Sequence, residues 1–338
     1  MRYAFWNNKG GTGKTSLCFQ AICRFAETHE TQRILVIDAC PQANLSELLL
    51  GGLTGLGSQR LLQQHGAVPR RSLGGYFQTR LPSPFSVPQF RPQDFICTPS
   101  AMNGAIPANI ELVCGDPLLE LQSNAINTLS NAQIPGTDTW ISVVDWINDF
   151  LRPLNGTYDT VFIDCNPSFS IYTQIALATA ERLVLPVMAD DSSRRAVQNA
   201  LSLVYGLSLP SPIYATYAFD RKLTQAGRTL PMVHLIAKNR ITQYMGPASA
   251  YAAVLTAVDS DISALLTTNP GFFTFTNVAN GTAEIRDFQT TGVVAFAKGL
   301  PFSKLKSGKQ TINAHRVQVK EDYRLLVVNS VNGFVAKL

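Results

Sequence analysis

Asn8-Lys9-Gly10-Gly11-Thr12-Gly13-Lys14-Thr15 is the stretch that decides the fold. Its second half fits the end of a phosphate-binding loop, where a glycine and any four residues precede Gly-Lys-Ser/Thr. Asn8 stands where that first glycine is usual, and Lys9 adds a second cation at the mouth. Gly10, Gly11 and Gly13 let the backbone curl so that successive N–H groups point at phosphate oxygens. From Ser16 to Ala26 the spacing predicts a helix, with Leu17, Ala21, Ile22 and Phe25 on one face. Its positive N-terminal end faces the same anion. Lys14 is expected to bridge the β- and γ-phosphates of a nucleotide, and the Thr15 hydroxyl to ligate Mg2+. The expected phosphate-binding set is Lys9, Gly10, Gly11, Thr12, Gly13, Lys14, Thr15 and Ser16.

Working outward, Tyr3–Trp6 is a short apolar run that ends at the loop, and Arg33–Asp38 is a longer one closing on a carboxylate. Thr160–Asp164 repeats that pattern. Further strands are expected at Ile110–Cys114, Arg182–Val187 and Met232–Ala237. Helices are expected at Leu45–Leu50, Ser72–Thr79, Pro117–Leu129 with Asp116 as cap, Thr139–Leu151 and Ile171–Ala180. Three more follow at Ser193–Leu207, Pro247–Leu266 and Val319–Ala336. Strands alternating with helices imply an α/β fold: a doubly wound, mostly parallel sheet with helices on both faces. Ligands on such sheets bind at the C-terminal ends of the strands, where Gly10–Thr15, Asp38 and Asp164 all fall. Asp38 and Asp164, with Thr15, form the expected metal site.

The chain has 338 residues, 46% hydrophobic and 15% charged. It is read as a single P-loop domain, 1–338, with variable insertions near 51–108 and 207–231 and a basic segment 290–338. In that last segment the eight cations Lys298, Lys304, Lys306, Lys309, Arg316, Lys320, Arg324 and Lys337 face only Glu321 and Asp322, so it carries +6 of a net +5 and the rest of the chain −1. The asymmetry points to an anionic partner. Six cysteines show no Cys-x-x-Cys pair, which speaks against a zinc or iron–sulfur site. No signal peptide is visible and no apolar run approaches the ~20 residues that span a bilayer, so a cytoplasmic protein is expected.

Lys9-Gly-Gly-Thr-Gly-Lys-Thr15, Ile37-Asp-Ala-Cys-Pro-Gln-Ala-Asn44 and Phe162-Ile-Asp-Cys-Asn-Pro-Ser168 resemble the deviant Walker A, A-prime and B motifs of ParA/MinD-type ATPases. Pro41-Gln42 and Asn44 lean towards the ParA branch, which partitions DNA and cargo. Softer similarity continues through Ile110–Asp116, Leu185–Val187 and Gly299–Pro301 to the final helix. The resemblance implies ATP and Mg2+ as cofactors and a homodimer closed around ATP. In that dimer Lys9 reaches the partner's nucleotide. It further implies that Asn239 and the loop up to Pro301 approach the adenine, that the dimer binds DNA non-specifically, and that an adaptor or cargo protein stimulates release. A nucleoid-associated location goes with that reading.

One position departs from the family. A second Asp is usual two residues after the Asp38 position, where it orients the attacking water, and this chain has Cys40. A neutral thiol accepts hydrogen bonds poorly, and a thiolate beside a triphosphate is disfavoured by like charge. Lys9, Lys14 and Cys40 are thus the catalytic candidates, with slow or partner-stimulated hydrolysis expected. Asn166, where the family often has Pro, is a candidate for holding a water; Asp190 and Asp191 are remoter ones. Two alternatives stay open: an ATP-locked scaffold without meaningful turnover, and a metabolic P-loop enzyme.

Overall fold

The computed structural model describes residues 1–188, 190–207, 209, 211–241 and 248–338. Seven strands make one sheet: β1 Arg2–Phe5, β2 Ile34–Ala39, β3 Ile110–Val113, β4 Thr160–Cys165, β5 Arg182–Met188, β6 Met232–Ile241 and β7 Thr282–Arg286. Their order is β3-β2-β4-β1-β5-β6-β7, and every pairing is parallel. β2 and β4 are buried at every position, which is why they read as unbroken apolar runs. Successive side chains still divide between two cores. Leu35, Ile37 and Ala39 enter one; Ile34 and Val36 enter the other, with Leu17, Ile22 and Phe25 from the helix Lys14–Thr28. The expected α/β fold is present.

In-register pairing of β2 with β4 sets Asp38 opposite Asp164 and Ala39 opposite Cys165. Two acidic strand ends, distant in sequence, therefore meet at the edge of the sheet where the glycine loop leaves β1.

Several elements differ from the sequence expectations. The helix expected over Thr139–Leu151 breaks into Thr139–Val144 and Trp146–Leu151 at Asp145. Backbone bonds still run through the break, from Asp145 N to Ile141 O (3.1 Å) and from Asp149 N to Asp145 O (2.8 Å), while the Asp145 carboxylate accepts from Asn148 Nδ2 (2.9 Å) and from Arg228. The final helix starts at Glu321, not Val319, because residues 308–319 fold back as a hairpin of β8 (Gly308–Ile312) and β9 (His315–Val319). Its two turn residues, Asn313 and Ala314, have φ of 43° and 67°, as a tight hairpin turn requires. β7 was also missed: Thr-Ala-Glu-Ile-Arg carries one strongly β-forming apolar residue. The helix expected from Pro247 is described from Ala248 to Thr268, and Pro247 lies outside the described residues.

The proline-rich stretch 51–108 is packed rather than open. It holds a helix Gly57–His65 that the sequence did not suggest, and Leu73–Arg80 capped by Ser72, whose Oγ accepts from Gly75 N. Tyr76 and Phe95 ring-pack on Phe150, and the buried Arg80 pairs with Asp149 at 2.9 Å. Removing one partner of such a pair costs ~3–5 kcal/mol, because the other charge stays buried. Asp116 Oδ1 accepts from Leu118 N (2.9 Å), but Pro117 rather than Asp116 takes the N-cap position, and the main partner of Asp116 is Arg70, across 46 residues. The stretch 207–231 contributes Phe219, packed on Trp140 (5.9 Å) and Phe169 (5.7 Å). Among the described residues no helix is long and apolar enough to cross a membrane.

Candidate functional site

The loop between β1 and the helix Lys14–Thr28 is held from beneath. Asn7 Nδ2 donates to Pro186 O (2.8 Å) on β5, and its Oδ1 accepts from Lys9 N (3.0 Å). Gly11 and Gly13 take φ of 74° and 75°, a region that costs other residues strain. At Gly13 space is closed as well: a Cβ there would lie 2.5 Å from Asn239 Nδ2. That amide donates to Thr12 O (2.8 Å), so Asn239 braces the loop from the end of β6.

Lys14 is buried, its Nζ folded onto Lys9 O (2.9 Å). Burial pulls its pKa down, opposed by Asp164. Thr15 Oγ1 donates to Asp164 Oδ2 at 2.8 Å. Asp38 is fully buried; its Oδ2 accepts from Ser46 N (2.9 Å) and Ser46 Oγ (2.7 Å), and its Oδ1 from Cys40 N (3.1 Å). Burial pushes both carboxyls up, and for Asp164 the neighbouring Asp38 adds to the rise. Gly115 lets β3 approach this pair, since a Cβ there would lie 2.8 Å from Asp38 Cγ.

Mg2+ and a nucleotide triphosphate fit these residues. Asp164 Oδ1, Asn8 Oδ1 and Thr12 Oγ1 are buried without a hydrogen-bond partner among the described residues, all at the loop. Two adjacent carboxylates that share one burial are costly alone and suit a bound dication. Thr15 and Asp164 would hold the metal and its water shell. Asp38, whose oxygens are already engaged, would act from behind them. The bound metal would supply charge neutralisation for the phosphates.

Beside the loop, a 330 Å3 cavity is lined by Gly13, Ser16, Asn239, Arg240, Asp287, Phe288, Gln289 and Phe296. It lies between the ends of β6 and β7 and is the one adjoining space suited to a nucleoside among the described cavities. Pro301 does not line it. That residue sits in a separate shallow cleft with Gln20 and Arg24, where Gln20 clamps Leu300 O (3.1 Å) and Phe302 N (2.8 Å). Residues 287–289, at the end of the strand the sequence did not reveal, line the cavity beside Asn239, as does Phe296 from the segment leading to Pro301. A larger cleft of 870 Å3, near Trp140, Tyr217 and Lys222, shares no residue with the loop or its carboxylates.

Lys9 lies on the rim, its Nζ 2.7 Å from Asp190 Oδ1 and Oδ2. Cys40 is 7% exposed, and burial, with Asp38 and Asp164 nearby, pushes its thiol up to about 12. It is a neutral thiol 3.9 Å from Asn166 Oδ1. Ser46 was not singled out from the sequence; a hydroxyl eight residues after Asp38 was the available signal.

A family model described as an AAA domain matches residues 2–208. An uncharacterized protein of Pseudomonas putida strain KT2440 is 26% identical over 203 residues, 56% of each chain; this chain thus spans about half the length of the curated relatives it matches. Among solved structures, an ATP complex of McdA from Cyanothece superposes with a TM-score of 0.61 at 15% identity, over 98% of this chain and 96% of that one. A putative plasmid partition protein of Borrelia burgdorferi B31 bound to AMPPNP gives 0.56 at 13%, over 100% and 99%. ParA of pNOB8 gives 0.56 at 15%, over 99% and 96%. At such identities the likeness is one of fold. With the family match over residues 2–208 and the loop and paired strand-end carboxylates described above, the chain belongs to the ParA/MinD-type family of deviant Walker A ATPases.

Proposed function

We propose that this protein is a ParA-like, ATP-dependent dimerisation switch that binds DNA non-specifically and positions a plasmid, a chromosome locus or another cargo. The observation that carries the reading is the pair of lysines. Lys14 is buried within the loop, while Lys9 stands on its rim with its side chain 25% exposed. An ammonium on the rim can leave Asp190 and offset the charge of a neighbour's triphosphate as two chains close. In this reading 1–338 works as one nucleotide-binding unit in the cytoplasm, on the nucleoid, with an adaptor protein stimulating release.

The basic segment supports the DNA partner. Lys298, Arg324 and Lys337 are engaged with Gln310, Glu321 and the carbonyls of Ala279 and Thr282. Lys304, Lys306, Lys309, Arg316 and Lys320 are exposed, with no ion pair among the described residues, on the β8–β9 hairpin and its flanks. Cations arranged so, without a base-reading helix, suit phosphates rather than sequence. Bringing two such surfaces together in a dimer raises avidity.

The test joins sedimentation with a non-hydrolysable ATP analogue to DNA retention across a salt series. Analogue-dependent dimers that hold DNA, lost in Lys14→Ala, support the reading. A doubled substitution, Lys309→Ala with Arg316→Ala, should lower the slope of log affinity against log salt by about 2. Solitary molecules at saturating analogue refute the switch. A second reading, an ATP-bound scaffold with negligible turnover, is favoured by the neutral thiol of Cys40; sustained phosphate release above the Lys14→Ala control removes it.

A further inference from the structure

Cys40 and Asn166 are a matched pair in the fold. β2 and β4 run in register through Asp38 opposite Asp164 and Ala39 opposite Cys165. One step beyond, Cys40 Sγ lies 3.9 Å from Asn166 Oδ1. The carboxylate missing from the end of β2 thus has an oxygen facing its place from the end of β4.

The amide of Asn166 is oriented by its neighbours. Its Nδ2 donates to Ser168 Oγ (2.9 Å) and to Tyr172 Oη (2.7 Å). Tyr172 in turn donates to Glu120 Oε2 at 3.0 Å. An ionised carboxylate only accepts, so the single hydroxyl hydrogen of Tyr172 goes to Glu120 and its oxygen receives Asn166. Both N–H bonds of the amide are then spent on one side. Oδ1 is left on the other, turned to Cys40 and the strand ends that flank the phosphate loop. Tyr172 is itself fixed, in the first turn of the helix Ile171–Thr179 with 2% of its surface exposed.

We propose that Asn166 Oδ1, aimed by Tyr172 and Glu120, holds the water that attacks the γ-phosphate, in place of the carboxylate Cys40 does not supply. This rests on the ATP reading above. The water oxygen forms a bond to the γ-phosphorus as the bond to the β,γ-bridging oxygen breaks, its electron pair leaving with ADP. The water's proton passes to a phosphate oxygen, and Asn166 takes none; its part is alignment. Tyr172 and Glu120 are positioning residues that never touch the nucleotide.

The experiment measures kcat, KM and affinity for a non-hydrolysable ATP analogue in wild type, Asn166→Ala, Tyr172→Phe, Glu120→Gln, Cys40→Asp and the double substitution Cys40→Asp with Asn166→Ala. Asn166→Ala should lower kcat about tenfold or more while analogue affinity stays within about twofold. Tyr172→Phe and Glu120→Gln should give smaller losses, again in kcat. Cys40→Asp should raise kcat, and in that background removal of Asn166 should cost at most about twofold, since two groups then share one role. A readout without nucleotide accompanies these. The Asn166 side-chain amide signal in a 1H–15N spectrum of the nucleotide-free protein should shift in Tyr172→Phe and Glu120→Gln. An unchanged kcat in Asn166→Ala, or an amide signal indifferent to both positioning variants, overturns the proposal. So does ATP-dependent dimerisation with no turnover in wild type, which spares the switch. Failure to bind nucleotide at all overturns both.

Discussion

Asp190→Asn isolates one contact that holds Lys9 within its own chain. In the single chain Lys9 Nζ is 2.7 Å from both oxygens of Asp190, and Ser192 Oγ supports Asp190 Oδ1 at 2.8 Å. The two side chains are 25% and 40% exposed, so water screens the pair and its worth falls in the range of exposed ion pairs, ~0.2–1 kcal/mol. If Lys9 serves the neighbouring nucleotide, a two-fold symmetric dimer must open this pair twice, which costs about 0.4–2 kcal/mol. Converted at RT, that is a factor of about 2 to 30 in the dimer dissociation constant. Asparagine keeps the shape and removes the charge, so Asp190→Asn should tighten the analogue-bound dimer within that range. Sedimentation equilibrium over a concentration series, with a non-hydrolysable ATP analogue, reads it directly. The gain should shrink as salt rises, because screening weakens the wild-type pair. On a Lys9→Ala background the same substitution should do nothing. A dimer unchanged or weaker in Asp190→Asn, or an equal gain without Lys9, would refute the idea that Asp190 competes with the partner's nucleotide for Lys9.

Two further outcomes follow from the loop and its carboxylates. Gly13→Ala introduces a side chain at φ 75°, costing ~1–2 kcal/mol, and sets a Cβ 2.5 Å from Asn239 Nδ2; calorimetric titration should show ATP affinity falling by about tenfold or more, with the protein still folded. Asp164→Asn should flatten the pH dependence of stability in the nucleotide-free protein. Burial raises the folded pKa of Asp38 and Asp164 above the ordinary carboxylate range, so between about pH 4 and 8 the folded chain retains protons that the unfolded chain has released. Stability then falls as pH rises through that window. The melting temperature of wild type should drop more from pH 5 to pH 8 than that of Asp164→Asn, and equal slopes would count against a buried carboxylate pair.

What the sequence disclosed was whatever a single segment carries by itself. Ile34–Ala39 and Thr160–Cys165 are apolar at every step because both of their faces are buried, and such runs announce themselves. β7 did not, since Thr-Ala-Glu-Ile-Arg needs its neighbour β6 to be a strand at all. The β8–β9 hairpin was hidden by its turn, where Asn313-Ala314 replaces the glycine that usually signals one. The pairing of Asp145 with Arg228, more than 80 residues away, is likewise in no local pattern.

The site divides along the same line. Gly13, Lys14, Thr15, Asp38 and Asp164 are legible because each lies in a local motif at a strand end, where a parallel sheet gathers its ligands. Asn239 was named only through the family resemblance and residues 287–289 not at all, because their relation to Gly13 exists only once β6 and β7 are laid beside β5. Cys40 is the instructive case. Seen alone it removes an acceptor and argues for slow or partner-stimulated hydrolysis. Seen across the register it faces an amide oxygen whose orientation is imposed by a tyrosine and a carboxylate from other helices. A family pattern is a statement about positions along one chain, whereas hydrolysis needs an acceptor at one point in space. Adjacent parallel strands offer two routes to that point, so losing the residue at the end of β2 need not lose the function if β4 supplies an oxygen. If Asn166 holds the water as proposed, Cys40 and Asn166 work as one unit, and a substitution at either will mislead unless the other is varied with it.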